Sequence, residues 1–352
     1  MKKKATIKDV AAHAGASITT VSRVLSGSDY PVSATLREAI LKAADELSYV
    51  PNKIGKLLRC GKSHLIGMVV PSITTPFYSQ LIAAVQEACV NNDYVLMLYS
   101  SHSSKKGEGA AIDALIQNQV DGAVLSLIHW DKSVEKRLDE MGMVYVLFDQ
   151  PHDEYNGISV DFDFCEAGRV AANYLVDCGN RDIVFASGKL DRPSRKQLMD
   201  GFKCVMDERG ITFDDSRIII NEMKAEVGTS SVRDYHCGEE IGKKISELDY
   251  LPDAVFAVND MMAIGIIKEL EKNDVYVPTD ISVMGFDDVE FAEMITPALT
   301  TISQSAYQMG EFAMKLLLEN MAEKRIGKKS IQINPVLIER NSVKNKNKEE
   351  NI

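Results

Sequence analysis

The stretch Thr6-Ile-Lys-Asp-Val-Ala-Ala-His-Ala-Gly-Ala-Ser-Ile-Thr-Thr-Val-Ser-Arg-Val-Leu25 predicts two short helices joined by a tight turn. Thr6 and Asp9 have the spacing of a capping box, which starts the first helix. Gly15 suits the left-handed residue that ends a helix, and Ser17 is a good N-cap for a second helix over 18–25. Small apolar residues stand where the two helices would cross. This is the pattern of a helix-turn-helix.

The outward side of the second helix carries no acidic residue. It consists of Ile18, Thr19, Ser22 and Arg23. Such a face suits a helix that meets DNA, because a carboxylate there would be repelled by the phosphates. We expect Arg23 to reach a base edge in the major groove, most naturally that of guanine. A third helix after Ser33 would complete a small core; the alternative is a purely structural helical hairpin.

The charge of the chain is unevenly distributed. Residues 1–62 hold eight lysines and three arginines against five acidic residues, a net charge of +6, whereas the 352-residue chain carries −11 and the remainder therefore −17. A basic head on an acidic body indicates that only the head meets a polyanion; a basic solvated tail is the alternative. Apolar residues make up 45% of the chain, without a run of the ~18 residues that a membrane span needs.

Several longer motifs make the sequence similar to the lactose-repressor (LacI/GalR) family of transcription regulators. They lie, in order, at residues 6–27, 32–33, 47–52, 66–71, 258–265, 281–288, 297–302 and 337–342, so that the resemblance spans about residues 5–343. It implies a helix-turn-helix head on double-stranded DNA, with Thr6 and Ser17 among the contacts, and a two-lobed body of periplasmic-binding-protein type. Because one short helix reads few base pairs, we expect a homodimer on a palindromic operator.

The segment between head and body predicts a hinge. Pro51 and Asn52 end the third helix, and 53–61 is basic and apolar. In the resembled family this segment is a helix that orders on DNA, which implies contacts from Asn52, Lys56, Leu58 and Arg59, with Leu58 as a wedge in the minor groove. Gly55 departs from the family pattern and lowers helix propensity by about 1 kcal/mol. A flexible tether is the alternative.

The body predicts an α/β fold with two doubly wound lobes. Short apolar runs alternate with amphipathic helices, which is typical of parallel sheets. The predicted strands are 65–70, 94–99, 122–127, 144–148 and 158–160, then 182–186, 218–220, 254–258, 281–285 and 331–333. The predicted helices are 77–90, 108–117, 165–178, 197–208, 238–248, 261–272 and 305–323.

Polar residues follow several predicted strands, where ligands bind in open α/β sheets. Phe77, Tyr78, Asp149, Asn259 and Asp287 match effector contacts of the family, and aromatic faces with short acceptors suit a sugar or sugar derivative. The alternative is that these Asp and Asn residues are helix N-caps after strands, which we prefer for Asp260 and Asp288.

One position of the expected cleft departs from the family. Members commonly carry an arginine four residues before the aromatic residue of a Gly-Phe pair, here Gly201-Phe202, but this chain has Leu198. Arg195 lies one turn earlier and is the candidate substitute. Otherwise the pocket would lack its usual cation.

These observations predict a regulator of transcription, expected to be a repressor, rather than an enzyme. No catalytic or metal motif occurs, so we expect no catalytic residue, cofactor or metal, and with no secretion signal, a cytoplasmic protein. A cytosolic sugar receptor or an enzyme of the same two-lobed fold is the alternative. The expected divisions are 1–50 for the head, 51–63 for the hinge, 64–343 for the effector and dimerisation domain (lobes 64–161 with 291–325, and 162–290 with 326–343) and 344–352 for a disordered tail.

Overall fold

The computed structural model describes residues 5–25, 30–49, 62–152, 155–221, 230–323 and 328–349. The chain divides into two units, Met1–Ser63, called the head below, and His64–Ile352, called the body. Most of the predicted hinge lies outside the described residues, and so do its expected DNA contacts, Asn52, Lys56, Leu58 and Arg59.

The head has the predicted helix-turn-helix and its third helix. The helices are α1 (Ile7–His13), α2 (Ile18–Leu25) and α3 (Ala34–Glu46). The capping box is present, since the backbone N–H of Thr6 donates to Asp9 Oδ2 at 2.8 Å and the Thr6 hydroxyl donates to the same atom at 2.7 Å. Gly15 has a φ of +62°, and Ser17 Oγ accepts from the backbone N–H of Thr20 at 3.1 Å. Local side-chain chemistry thus fixes both ends of the turn.

The body alternates strands and helices. The strands are β1 (Leu65–Val70), β2 (Val95–Ser100), β3 (Gly122–Leu125), β4 (Val144–Phe148), β5 (Ile158–Phe162), β6 (Ile183–Ser187), β7 (Ile218–Ile220), β8 (Ala254–Ala257), β9 (Ser282–Met284), β10 (Thr301–Ser303), β11 (Lys329–Ile333) and β12 (Val336–Ile338). The helices are α4 (Pro76–Asn91), α5 (Lys105–Gln117), α6 (Lys132–Glu140), α7 (Phe164–Asp177), α8 (Pro193–Glu208), α9 (Ser230–Ser246), α10 (Asp260–Lys272), α11 (Phe291–Met294), α12 (Ala306–Glu323) and α13 (Lys346–Glu349). None of these helices is long and apolar enough to cross a membrane.

Two parallel sheets define the lobes. The first lobe has the strand order β11-β5-β4-β3-β1-β2, and the second has β7-β6-β8-β9. Both sheets are covered by helices, which explains why their strands are continuous apolar runs. In the second lobe, α7 and α8 pack closely because Gly168 and Gly201 face the neighbouring backbone.

The lobe boundaries differ from the expected ones. Strand β11 pairs in register with β5 from Lys329 opposite Ile158, so it belongs to the first lobe. Strand β10 pairs antiparallel with β12, and Ser303 bridges to Asp287, so residues up to 303 stay with the second lobe. The chain therefore crosses between lobes after β5, close to the expected residue 161, but its other two crossings follow β10 and β11 rather than lying near 290 and 325.

The C-terminal tail is ordered as far as it is described, contrary to the expected disorder of 344–352. The backbone N–H of Lys344 donates to Ser282 Oγ at 3.1 Å, and that of Lys346 donates to the carbonyl of Cys178 at 2.9 Å. Lys346 Nζ also pairs with the Asp253 carboxylate. These polar contacts hold the tail on the second lobe, and a composition-based argument could not foresee them.

Candidate functional site

The first candidate site is the outward face of α2 in the head. The structure exposes Ser17, Ile18 (46%) and Thr19, and leaves Ser22 and Arg23 partly buried. The guanidinium carbon of Arg23 lies 4.0 Å from the ring centroid of Tyr30, a cation–π contact that the sequence analysis did not predict. Stacking engages the face of the guanidinium, while its N–H donors point outward from its edge.

The hydroxyls of two other predicted DNA contacts are engaged within the head. Thr6 Oγ1 donates to Asp9, and Ser17 Oγ lies 2.8 Å from Thr20 Oγ1. Both residues stand at helix starts: Ser17 Oγ caps α2 by accepting from the backbone N–H of Thr20, whereas the Thr6 hydroxyl donates to the Asp9 carboxylate. A contact from either residue to DNA stays a prediction.

The second candidate site is a cavity, partly open to solvent, between the two lobes of the body. It lies beyond the carboxyl ends of the strands, as expected for open α/β sheets. All six residues predicted to bind an effector line it: Phe77, Tyr78, Asp149, Arg195, Asn259 and Asp287. The structure thus brings together residues that are up to 210 positions apart in the sequence.

Asp149 organises the first-lobe wall of the cavity. Its Oδ2 accepts hydrogen bonds from the Tyr78 hydroxyl at 2.6 Å, Ser126 Oγ at 2.8 Å and Gln150 Nε2 at 3.0 Å. Burial and the neighbouring Asp149 carboxylate raise the pKa of Tyr78 well above its usual value, so Tyr78 remains a donor. Gln150 Oε1 in turn accepts from Ser194 Oγ of the second lobe at 3.1 Å. One oxygen of Asp149 therefore fixes a network that reaches across the cleft.

Asp287 and Gln304 form a second polar group at the cavity. Gln304 Nε2 donates to Asp287 Oδ1 at 2.6 Å, whereas the buried Gln304 Oε1 has no hydrogen-bond partner among the described residues. Burial and the nearby Asp260 carboxyl raise the pKa of Asp287 well above its ordinary value. A buried acceptor without a partner is costly, so a ligand that donates a hydrogen bond to Gln304 would remove this cost.

The expected cap roles of Asp260 and Asp288 are wrong. Asn259 caps α10, because its Oδ1 accepts from the backbone N–H of Met262 at 2.8 Å. Asp260 is already in the helix and is fully buried, with its carboxylate 2.8 Å from the backbone N–H of Val289 and 2.6 Å from Thr301 Oγ1. Asp288 forms an ion pair with Arg340 at 2.7 Å.

The cavity has cations, although Leu198 stands at the usual arginine position. Leu198 is buried in the lining, and Arg195 lies beside it, with its Nη1 donating to the Lys189 carbonyl at 3.0 Å. Arg192 and Arg233 line the same cavity. The sequence analysis missed both. Arg192 is the N-cap of α8 and stands directly before Pro193. Thr75, which also lines the cavity, stands in the same way before Pro76 at the start of α4. This shared helix start is a sequence signal that could have identified Arg192.

Two family profiles match the chain. The profile described as bacterial regulatory proteins, lacI family, matches residues 6–52, and that described as a periplasmic binding protein-like domain matches residues 159–343.

Relatives match over nearly the whole length. The chain is 31% identical over 344 residues to the HTH-type transcriptional repressor PurR of Vibrio atlanticus strain LGP32, covering 97% of this chain and 100% of the relative. It is 33% identical over 344 residues to the protein of the same name from Pasteurella multocida strain Pm70, covering 97% and 99%.

Solved structures share the architecture. The lac repressor dimer bound to operator and the anti-inducer ONPF has a TM-score of 0.83 at 24% identity, covering 97% of this chain and 100% of the other. The complex of the transcriptional regulator CelR with cellobiose has a TM-score of 0.68 at 27% identity, covering 96% and 99%.

Proposed function

Because this chain belongs to the lacI family of bacterial regulatory proteins, we propose that it is a sequence-specific DNA-binding repressor of transcription whose body binds a small effector. The observation that carries this proposal is the head, where α2 presents an acid-free outward face within the region matched to the family. The full-length similarity to proteins named as transcriptional repressors supports it.

Arg23 is the proposed base-reading residue, flanked by Ile18, Thr19 and Ser22. Its stack on Tyr30 restricts the guanidinium, which lowers the entropy lost when it binds a base. A guanidinium held at its face still offers two parallel N–H donors to the O6 and N7 atoms of guanine. We assign Thr6 and Ser17 to phosphate contacts near the helix starts.

The short recognition helix indicates which kind of DNA site the protein binds. Helix α2 has eight residues, so one copy reads few base pairs and two copies on a palindromic site supply useful specificity. Residues 51–63 are the proposed hinge, in which Asn52, Lys56 and Arg59 meet phosphates and Leu58 enters the minor groove. The protein would act in the cytoplasm, where its DNA lies.

The inter-lobe cavity is the proposed effector site, with a sugar or sugar derivative as ligand. Phe77 and Tyr78 offer aromatic surfaces, and Asn259, Asp287 and Gln304 offer groups that hydrogen-bond hydroxyls. An effector can change operator affinity only by binding one lobe arrangement better than the other.

The test of the DNA-binding proposal is fluorescence anisotropy with the full chain, a duplex selected from a randomised library, and an unselected duplex of equal length. Arg23→Ala should weaken selected-duplex binding by about 1–3 kcal/mol, or about 5- to 150-fold, with a smaller effect on the unselected duplex. Lys42→Ala is the matched control, since it removes a positive charge from α3 of the same head.

Two results would count against this assignment. If the wild-type chain selects no duplex over random sequence, the protein is not a sequence-specific regulator. If Arg23→Ala weakens both duplexes equally, Arg23 contacts phosphate and does not read a base.

A further inference from the structure

Three arginines line the effector cavity, and none of them forms an ion pair among the residues that the structure describes. Arg192 and Arg195 stand at the start of α8, and Arg233 stands in the first turn of α9. Arg192 Nη2 donates to Ser103 Oγ at 2.9 Å, and Arg195 donates to a backbone carbonyl. Within the described part of the chain, no carboxylate lies within 4.0 Å of any of the three guanidinium groups. The partners of Arg192 and Arg195 in these hydrogen bonds are neutral oxygens.

Holding these three guanidinium groups close together carries an electrostatic cost. All three arginines are partly buried. Burial and the neighbouring Arg192 lower the pKa of Arg195 to about 10, which reflects the cost of holding like charges together away from water. A buried cation without a counterion is destabilising, and an anion would offset that cost.

The carboxyl groups in the same lining do not supply the missing negative charge. Oδ2 of Asp149 already accepts three hydrogen bonds, and Asp287 is bound to Gln304 on the other wall. Asp234 lies near Arg195 but forms no ion pair within 4.0 Å among the described residues. Asp191 also acts on Arg195 only from a distance, so the arginine end of the cavity has no close carboxylate among the described residues.

Helix N-termini lie around the same cavity. Helices α4, α7, α8 and α10 each contribute lining residues from their N-cap or first turn. Each has at least 13 residues, and the N-terminus of a helix carries a partial positive charge. Four helix N-termini around one cavity favour the binding of an anion, as the arginines do.

The opposite side of the cavity needs a different group. Gln304 is 3% exposed, and its Oε1 has no partner among the described residues, beside Asp287. Gln304 Oε1 can only accept a hydrogen bond, so it fits a hydroxyl group on a ligand rather than a second anionic group.

We propose that the effector is a polyhydroxylated molecule bearing an anionic group, a carboxylate or a phosphate, which Arg192, Arg195 and Arg233 bind while Gln304 and Asp287 bind its hydroxyls. This proposal rests on the proposed effector-binding function and narrows its ligand class. It assigns to Arg195 the discrimination between charged and neutral ligands.

The experiment is isothermal titration calorimetry of the full chain with a panel of aldonic acids, uronic acids and hexose and pentose phosphates. Each is paired with its neutral parent sugar. At least one anionic compound should bind about tenfold or more tightly than its neutral parent, and Arg195→Gln and Arg192→Gln should each remove most of that preference. Arg209→Gln is the control, because Arg209 follows α8 directly and pairs with Asp177 outside the cavity.

The panel also separates the two anion sources. Preference for sugar acids assigns a carboxylate, and preference for sugar phosphates assigns a phosphate; either supports the proposal. It is overturned if the neutral parents bind as well as the anionic compounds, if the arginine variants keep the preference, or if no anionic compound binds. Operator binding measured on the same samples reports separately on the proposed function.

Discussion

The buried carboxyl of Asp260 should make the stability of the body fall as pH rises. Burial raises the pKa of Asp260 from 3.8 to about 7. Between these values the unfolded chain loses this proton while the folded chain keeps it, so unfolding is favoured by increasing pH. About three pKa units correspond to roughly 4 kcal/mol, most of which is lost by about pH 7.

Asp260→Asn removes the ionisation and keeps the shape. An asparagine can accept from the backbone N–H of Val289 through its oxygen and donate to Thr301 Oγ1 through its amide, at the positions where Asp260 lies 2.8 and 2.6 Å from these groups. The variant should match the wild type near pH 4.5 and exceed it in unfolding free energy at pH 8, by up to roughly 4 kcal/mol.

The assay is urea unfolding of the full chain at a series of pH values from 4.5 to 8. The quantity compared is the unfolding free energy of the body. Asp249→Asn, at an exposed position, is the matched control and should follow the wild type throughout. The unfolding free energy of Asp260→Asn should still fall somewhat with rising pH, because burial also raises the pKa of Asp287. Parallel curves for wild type and Asp260→Asn, at every pH, would refute the reasoning.

Three further outcomes are expected. Asp287→Ala should abolish the change in operator affinity that the effector causes and leave operator affinity without effector near normal, measured by anisotropy; loss of fold would instead assign Asp287 a structural role. Leu58→Ala should reduce operator bending in a gel-mobility assay, since unstacking a base step costs a few kcal/mol and needs the wedge, whereas unchanged bending would make the hinge a tether. Gly201→Ala should lower the unfolding free energy by about 2–3 kcal/mol, because a Cβ there lies 1.9 Å from the Cys165 carbonyl oxygen, whereas Gly109→Ala meets nothing within 4 Å and should not.

The parts of the fold that were predictable are those set by neighbours in sequence. Thr6, Gly15 and Ser17 act on backbone groups within four residues, so their roles follow from residue type and spacing alone. Strand β1 could be predicted in the same way, because a short apolar run between polar segments is typical of a buried strand.

Two helices at the cavity, α8 and α9, begin several residues before their predicted starts, and this difference has a physical reason. Helix α8 begins at Pro193 rather than at 197, and α9 begins at Ser230 rather than at 238. These first turns are polar because they face the cleft, so they lack the apolar periodicity on which the prediction depended. The missing turn of α9 contains Arg233, and the start of α8 follows Arg192. Apolar periodicity therefore could not indicate these two arginines of the cavity lining.

The roles of buried acidic residues depend on distant partners. Asp149 meets the hydroxyl of Tyr78 from 71 positions away, and Asp260 meets Thr301 from 41 positions away. A single sequence shows that such residues follow strands, but which groups face them is decided by the packing of several elements.

The late position of β11 in the chain has a consequence for synthesis. Strand β5 ends at Phe162, but its neighbour β11 begins only at Lys329, so the first sheet stays open on that side while the whole second sheet is made. An unpaired strand edge is a template for pairing with other chains. In the finished protein that edge is covered, and the new edge strand carries a lysine that pairs with Glu319. A chain interrupted before β11 would leave β5 without this neighbour, so the risk of aggregation falls on unfinished copies.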